Sequence, residues 1–126
     1  MKVLKPPESL LKPMISTKKN KMGRWLVIIK QNNELLGWCG LKFLPDENEV
    51  DLGYRFFKKY WGNGYATESA TAVLHYGFET LNLKRIIGRA AAANIASIHV
   101  LQKLGMPVEK NIGCHGDDGV QYVLEK

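Results

Sequence analysis

Short apolar runs separated by turn residues dominate the first half of the chain. The runs at residues 25–30, 35–43 and 50–57 are rich in β-branched, aromatic and leucine side chains, and they predict three strands. Two asparagines lie between the first two runs, at residues 31–34, and predict a hairpin turn. The first half of the chain is therefore expected to form antiparallel strands.

After residue 64 the apolar positions change to a helical period. Apolar residues at every third or fourth position predict a helix over residues 65–81, with Asn63 as its N-cap and Asn82 at its end. A second helix is predicted over residues 95–104 and stops at Gly105.

Three further strands complete the pattern. Residues 85–91 lie between the helices, and residues 108–111 and 120–125 predict a closing hairpin. A helix that joins two strands of one sheet makes them parallel neighbours with a right-handed crossover, whereas hairpins are antiparallel. The predicted fold class is α+β in three layers: a mixed, mostly antiparallel central sheet with helices packed on it.

The composition is that of a single soluble globular domain. The chain has 126 residues, of which 45% are hydrophobic and 24% are charged. No apolar run approaches about 20 residues, so no membrane-spanning helix is predicted. No apolar leader precedes the first run, so we expect a cytoplasmic protein. Cys39 and Cys114 have neither metal-site nor disulfide-framework spacing, and no metal is expected.

The net charge of +6 belongs entirely to the N-terminal segment. Residues 1–24 hold seven basic residues and one acid, whereas residues 25–126 hold eleven of each. This shift divides the chain into a basic N-terminal arm or shortened first element (1–24) and one folded domain (25–126). A nucleic-acid-binding face would spread basic residues over the folded surface, so nucleic acid is an unlikely partner.

The strongest chemical motif is KYWGNGYA at residues 59–66, between a predicted strand and a predicted helix. Glycines at 62 and 64 permit unusual backbone torsions, and the first turn of a helix offers unpaired N–H groups to a phosphate. A Walker loop is excluded because no Gly-Lys-Ser/Thr follows. A dinucleotide fingerprint fits poorly because Thr67 replaces the third small residue. A plain glycine turn into a helix is the simpler alternative.

Two segments taken together resemble a known family. Residues 52–55 (LGYR) and 60–68 (YWGNGYATE) resemble motif A of the GNAT acetyltransferases. A second block lies at the spacing expected in the branch that acetylates ribosomal-protein N-termini, and its matching residues are Asn94, Ser97, Val100, Leu101, Lys103, Leu104 and Gly105. The chain is most similar to that branch.

The resemblance implies acetyl-CoA as the acetyl donor, with no metal. Backbone amides from Trp61 to Ala66 would bind its pyrophosphate, and the strand that ends at Phe57 would pair with the pantetheine arm. Lys59 stands where the family usually has Arg or Gln. The implied cofactor contacts are Phe56, Phe57, Lys59, Tyr60, Trp61, Gly62, Asn63, Gly64, Tyr65, Ala66, Thr67, Asn94 and Ser97.

Spacing supports the second block independently of the resemblance. Asn94, Ser97, Leu101 and Leu104 are three, four and three residues apart, so they share one face of the second helix. Asn94 precedes that helix and is also a candidate N-cap.

Acyl transfer to an amine needs a base, because amines are protonated at neutral pH. Glu49 and Asp51 are the candidates: they alternate with apolar residues and so share one face of the third strand, although solvated acids at a strand edge would look the same. Many GNAT enzymes use a helical tyrosine as the acid, and residues 100–102 (VLQ) contain none. The resemblance leaves Ser97 as the candidate acid. The three histidines, His75, His99 and His115, are interpreted as structural or surface residues.

The N-terminal region departs from the family pattern. Family members normally have a strand and one or two helices before the first hairpin, but here only 24 residues precede it and three of them are proline. These elements are expected to be shortened or missing, and the exposed sheet edge would then favour a homodimer.

The function expected from the whole is N-acetyl transfer from acetyl-CoA to a primary amine, either a protein N-terminus or a small molecule. A CoA-binding protein without activity and an interaction module with a basic arm are the alternatives.

Overall fold

The computed structural model describes residues 11–17, 22–29, 34–114 and 116–126. In chain order its elements are β1 (Leu11–Thr17), β2 (Met22–Ile29), β3 (Glu34–Leu44), β4 (Glu49–Phe56), a 3₁₀ turn (Lys58–Tyr60), α1 (Tyr65–His75), a π-helical turn (Tyr76–Thr80), β5 (Arg85–Ala91), α2 (Ile95–Lys103), β6 (Val108–Cys114) and β7 (Asp117–Glu125). No helix among these residues is long and apolar enough to cross a membrane.

The described strands form one sheet in the order β1-β2-β3-β4-β5-β7-β6. All neighbours pair antiparallel except β4 and β5, which run parallel because α1 connects them. The predicted fold class, a mixed and mostly antiparallel sheet with helices packed on it, is confirmed.

The parallel pairing of β4 with β5 is very short. Only Asp51 with Ile87 and Leu52 with Gly88 are in register. On its other side β4 pairs with β3 along its whole length, from Glu49 to Phe56. The second half of β4 is therefore held by β3 alone, and a gap opens between β4 and β5.

Both helices pack on the same face of β5, and glycines allow their close approach. A Cβ added at Gly88 would lie 2.7 Å from the side chain of Leu101 in α2. A Cβ added at Gly77, in the π-helical turn, would lie 2.8 Å from the side chain of Ile86. Ile86 and Gly88 alternate along the strand and so point to one face. The core between helices and sheet includes Leu36, Cys39, Leu41, Leu52, Val73, Leu74, Ile86, Leu101 and Leu104.

The structure corrects the first predicted helix at both ends. Asn63 is not the N-cap: Gly64 holds that position with φ 80°, and the Asn63 amide donates to the Tyr60 carbonyl oxygen over 3.2 Å. The α-helix ends at His75, and the chain continues to Thr80 as a π-helical turn. The left-handed conformation of Gly64 turns the chain directly into the helix, which leaves no place for a side-chain cap.

The boundary predicted between residues 24 and 25 falls inside β2. Strand β1 pairs with β2, for example at Leu11–Val27, so residues on both sides of that boundary belong to one sheet. The first strand of the family was expected to be shortened or missing, because only 24 residues, three of them proline, precede the hairpin. Pro13 lies in β1 at the edge of the described sheet, beside a register irregularity, where its missing N–H is tolerated. Residues 1–10 and 18–21 of the basic segment lie outside the described residues, as does the turn predicted at 31–34 except for Glu34, which begins β3.

Gly77→Ala should lower the free energy of unfolding by about 1–3 kcal/mol, the usual cost of overpacking a core. The new methyl group would press on the side chains of Ile86 and Leu41, although alanine favours a helix over glycine by ~1 kcal/mol. Gly113→Ala is the matched control, since a Cβ there meets no atom within 4 Å. Urea unfolding measures both variants, and equal midpoints would contradict the packing argument.

Candidate active site

A cleft of about 1020 Å³ opens where β4 leaves β5. Its walls are the second half of β4, the segment that leads from β4 into α1, and one face of α2. Eighteen residues line it: Tyr54, Arg55, Phe56, Phe57, Lys58, Tyr60, Trp61, Gly62, Gly64, Tyr65, Ala66, Thr67, Asn94, Ala96, Ser97, His99, Val100 and Lys103. Both sequence motifs that were predicted to bind a cofactor therefore meet in one cavity.

Eleven of the thirteen predicted cofactor residues line this cleft. The two that do not are Lys59 and Asn63. The ammonium of Lys59 lies 3.6 Å from the Glu34 carboxylate, and Asn63 bonds to the backbone of Tyr60. Lys58 and Lys103, which were not among the predicted cofactor contacts, are the described lysines that line the cleft.

The start of α1 is suited to an anion. Gly62 and Gly64 have φ angles of 83° and 80°, which glycine adopts without strain. No side chain caps the first N–H groups of α1. These amides, together with the helix dipole, can receive a phosphate group.

The segment that leads into α1 is tied to the sheet. The indole N–H of Trp61 donates to the Phe56 carbonyl oxygen over 2.9 Å, and the phenol of Tyr60 donates to Glu34 at the start of β3. The rings of Tyr60 and Tyr65 meet edge to face. These contacts hold the backbone of the segment in place, so the amides of α1 are preorganised.

Two hydroxyl groups meet across the inner part of the cleft. The Ser97 Oγ lies 2.7 Å from the Tyr54 hydroxyl, which also lies 3.2 Å from the Ser97 carbonyl oxygen. Burial raises the pKa of Tyr54 to about 12, so its phenol is protonated at neutral pH. Sequence analysis missed Tyr54 as a site residue, although its alternation with Leu52 and Phe56 placed it on the face that meets the helices.

Asn94 caps α2, as predicted. Its Oδ1 accepts a hydrogen bond from the Ser97 N–H over 3.1 Å. Since Asn94 also lines the cleft, one side chain both starts the helix and faces the cavity.

Glu49 and Asp51 lie on the face of β4 opposite Val50 and Leu52, and neither lines the cleft. Glu49 accepts two hydrogen bonds from Arg85, both at 2.9 Å, so its carboxylate is committed to an ion pair. The Oδ1 of Asp51 is buried without a hydrogen-bond partner. Burial raises the pKa of Asp51 to about 6. Of the two predicted bases, Asp51 is therefore the one with the basicity for proton transfer near neutral pH.

Of the two described histidines, one faces the cleft. His99 is exposed and lines the cleft. His75 lies in the last turn of α1, outside the cleft. His115 lies outside the described residues.

Residues 6–107 match the family described as an acetyltransferase (GNAT) domain. The chain belongs to the GNAT acetyltransferase family. This confirms the resemblance carried by the two motifs.

Known relatives support the same assignment. The uncharacterized protein YkkB of Bacillus subtilis is 39% identical over 90 residues, covering 70% of this chain and 52% of its own length. The uncharacterized N-acetyltransferase p20 of Bacillus licheniformis is 34% identical over 87 residues, covering 68% of this chain and 49% of its own. The chain thus spans about half the length of these curated relatives.

Solved structures agree with the fold. The crystal structure of a GNAT-family acetyltransferase from Bacillus anthracis superposes with a TM-score of 0.73 at 31% sequence identity. The superposition covers 81% of this chain and 65% of that one.

Asn94→Ala should lower the free energy of unfolding by about 1 kcal/mol, because the Ser97 N–H loses its cap. Asn94→Asp keeps an oxygen at the same position and should retain most of the stability. Chemical unfolding followed by circular dichroism compares the two variants. An Asn94→Ala variant as stable as the parent would show that the cap contributes nothing.

Proposed function

We propose that this protein is an acetyl-CoA-dependent N-acetyltransferase that acts on a primary amine. The observation that carries the proposal is the single cleft that joins the uncapped N-terminus of α1 to the gap beside β4. The N-terminus of α1 would bind the pyrophosphate of acetyl-CoA, and the gap beside β4 would hold its extended pantetheine arm. The name of the relative p20, an N-acetyltransferase, supports transfer to nitrogen.

The arm would lie along the unpaired side of β4. Beyond Leu52 the backbone of β4 has no partner among the described strands on the β5 side. Apart from the Phe56 carbonyl oxygen, which accepts from Trp61, the N–H and C=O groups on that side could bond to the amides of pantetheine. The thioester would then come to rest near the hydroxyls of Tyr54 and Ser97, deep in the cleft.

The chemical step is direct attack of the amine on the thioester carbon. Asp51 accepts a proton from the incoming ammonium, the C–N bond forms and the C–S bond breaks. The second proton, which the nitrogen loses after the C–N bond has formed, passes to the departing thiolate. Asp51 pairs with Ile87 one position before the strands part at Leu52, so it would act on the acceptor from the end of the opening, on the face of β4 opposite Leu52. It acts directly or through a water molecule. Glu49 has a structural role, because Arg85 holds both of its oxygens.

A homodimer belongs to this proposal as well, since β1 and β6 end the described sheet and carry its outer edges. The acceptor is proposed only as a class. Primary amines are the common feature of N-acetyl transfer.

Gly64→Val should weaken acetyl-CoA binding by roughly tenfold to a hundredfold, as expected when charged hydrogen bonds to a phosphate are lost. A valine at φ 80° is strained and would shift the first amides of α1. Gly116→Val is the matched control, because Gly116 has φ 85° and equally open surroundings but lies outside the cleft. Isothermal titration calorimetry measures both variants.

Equal affinities in the two folded variants would refute the pyrophosphate assignment. Acetyl-CoA binding without faster CoA release in the presence of amines would favour the CoA-binding protein without activity.

Asp51→Asn should lower kcat by roughly 10²–10⁴-fold, the usual contribution of a general base. In the parent, kcat/KM should rise with pH through about 6, because Asp51 accepts a proton only when it is ionised and burial has raised its pKa to that value. This limb of the profile should vanish in the variant.

Glu49→Gln is the comparison. It should lower stability through loss of the Arg85 ion pair while keeping kcat within about tenfold of the parent. A larger loss of kcat in Glu49→Gln than in Asp51→Asn would reverse the assignment of the base.

A further inference from the structure

The proposed function leaves the phenol of Tyr54 without a role. We propose that Tyr54 is a positioning residue: its hydroxyl bonds to Ser97 so that the serine proton points into the cleft and donates to the carbonyl oxygen of the bound thioester. Such a donor would distinguish acetyl-CoA from free CoA, which has no acyl carbonyl. This inference rests on the proposed function.

The two hydroxyls come from opposite walls of the cleft. Tyr54 lies on the part of β4 that has separated from β5, and Ser97 lies in the first turn of α2, 43 residues later. Both line the cavity. Their 2.7 Å contact is thus a bridge across the place where the thioester would lie.

The number of available protons decides how the pair can act. Each hydroxyl has one proton to donate. If Tyr54 donates to the Ser97 Oγ, the serine proton remains free for a ligand. If Tyr54 instead donates to the Ser97 carbonyl oxygen, the serine hydroxyl can donate its proton to the phenol oxygen. No serine proton is then available for a ligand.

The geometry favours the first arrangement. The contact to Oγ is 2.7 Å, within the usual range for O–H···O bonds, whereas the contact to the carbonyl oxygen is 3.2 Å and long for such a bond. A phenol is also a stronger acid than an aliphatic hydroxyl, so it is the better donor of the two. The serine proton is then directed away from Tyr54.

Without Tyr54 the serine would have a competing partner. A serine in a helix commonly donates to the carbonyl oxygen three or four residues earlier, here Asn94 or Ala93. The Tyr54 phenol donates to a lone pair of the Ser97 Oγ that would otherwise bond to water. This contact holds the serine hydroxyl in one rotamer. Removing the phenol would let Ser97 turn toward its own helix and lose its donor direction.

The test measures the affinities of acetyl-CoA and CoA by calorimetry and takes their ratio, which needs no acceptor amine. Ser97→Ala should reduce the preference for acetyl-CoA about fivefold, the equivalent of one ordinary hydrogen bond. Tyr54→Phe should reduce it by a similar factor. In a Ser97→Ala background, Tyr54→Phe should cause no further change, because the two groups act as one unit.

Tyr122→Phe provides the control for loss of a tyrosine hydroxyl. Tyr122 is buried in β7 and does not line the cleft, so its variant should keep the parent ratio.

Two results would overturn the inference. An unchanged ratio in Tyr54→Phe would exclude the positioning role, and Tyr54 would then be a packing residue if both ligands bound more weakly by the same factor. Additive losses in the double variant would mean that Tyr54 acts on the ligand independently of Ser97. A parent protein that binds neither ligand would instead refute the proposed function itself, and the inference with it.

Discussion

Strands β4 and β5 run side by side for only two residues, Asp51 and Leu52, before they separate. The rest of the cleft depends on this separation. It leaves one side of β4 without a strand partner, and it gives the cavity its depth between sheet and α2. The helices can pack closely around it because Gly77 and Gly88 have no side chains to keep them apart from Ile86 and Leu101. The opening is thus a consequence of packing as well as of strand direction.

Periodicity was sufficient to predict most of the elements, because apolar residues in this chain face a single core. The parallel crossover and the mixed sheet followed from element order alone. Strand β1 was not predicted because the segment before the hairpin is short and contains three prolines; Pro13 fits a strand here because β1 lies at an edge of the described sheet. The N-cap of α1 was misassigned to Asn63 because asparagine is one of the residues that most often cap helices. Instead, Gly64 takes the N-cap position with a positive φ, and no asparagine side chain is used as the cap.

In the candidate site, too, some features could be predicted from the sequence and others could not. The residues of the two motifs converge as expected, because their roles depend on backbone position along the chain. The choices between similar side chains were not predictable. Lys59 pairs with Glu34, which leaves Lys58 to face the cavity, and Glu49 is held by Arg85 while Asp51 is buried. Each choice depends on a residue 25 or more positions away in sequence, and local pattern does not contain that information. Tyr54 was missed for the same reason, since its partner is in another element.

A row of unpaired backbone groups normally makes a protein prone to aggregation, because the strand of another molecule can add to it. In this sheet the unpaired side of β4 lies in the interior, with β3 on one side and β5 diverging on the other. A foreign strand would need about 4.8 Å of spacing plus room for side chains on both faces, and the two helices cover one face. A narrow chain with amide groups, which has no side chain at each residue, would meet neither obstacle to the same extent. The position of the gap would therefore favour a narrow linear ligand over the strand of another polypeptide.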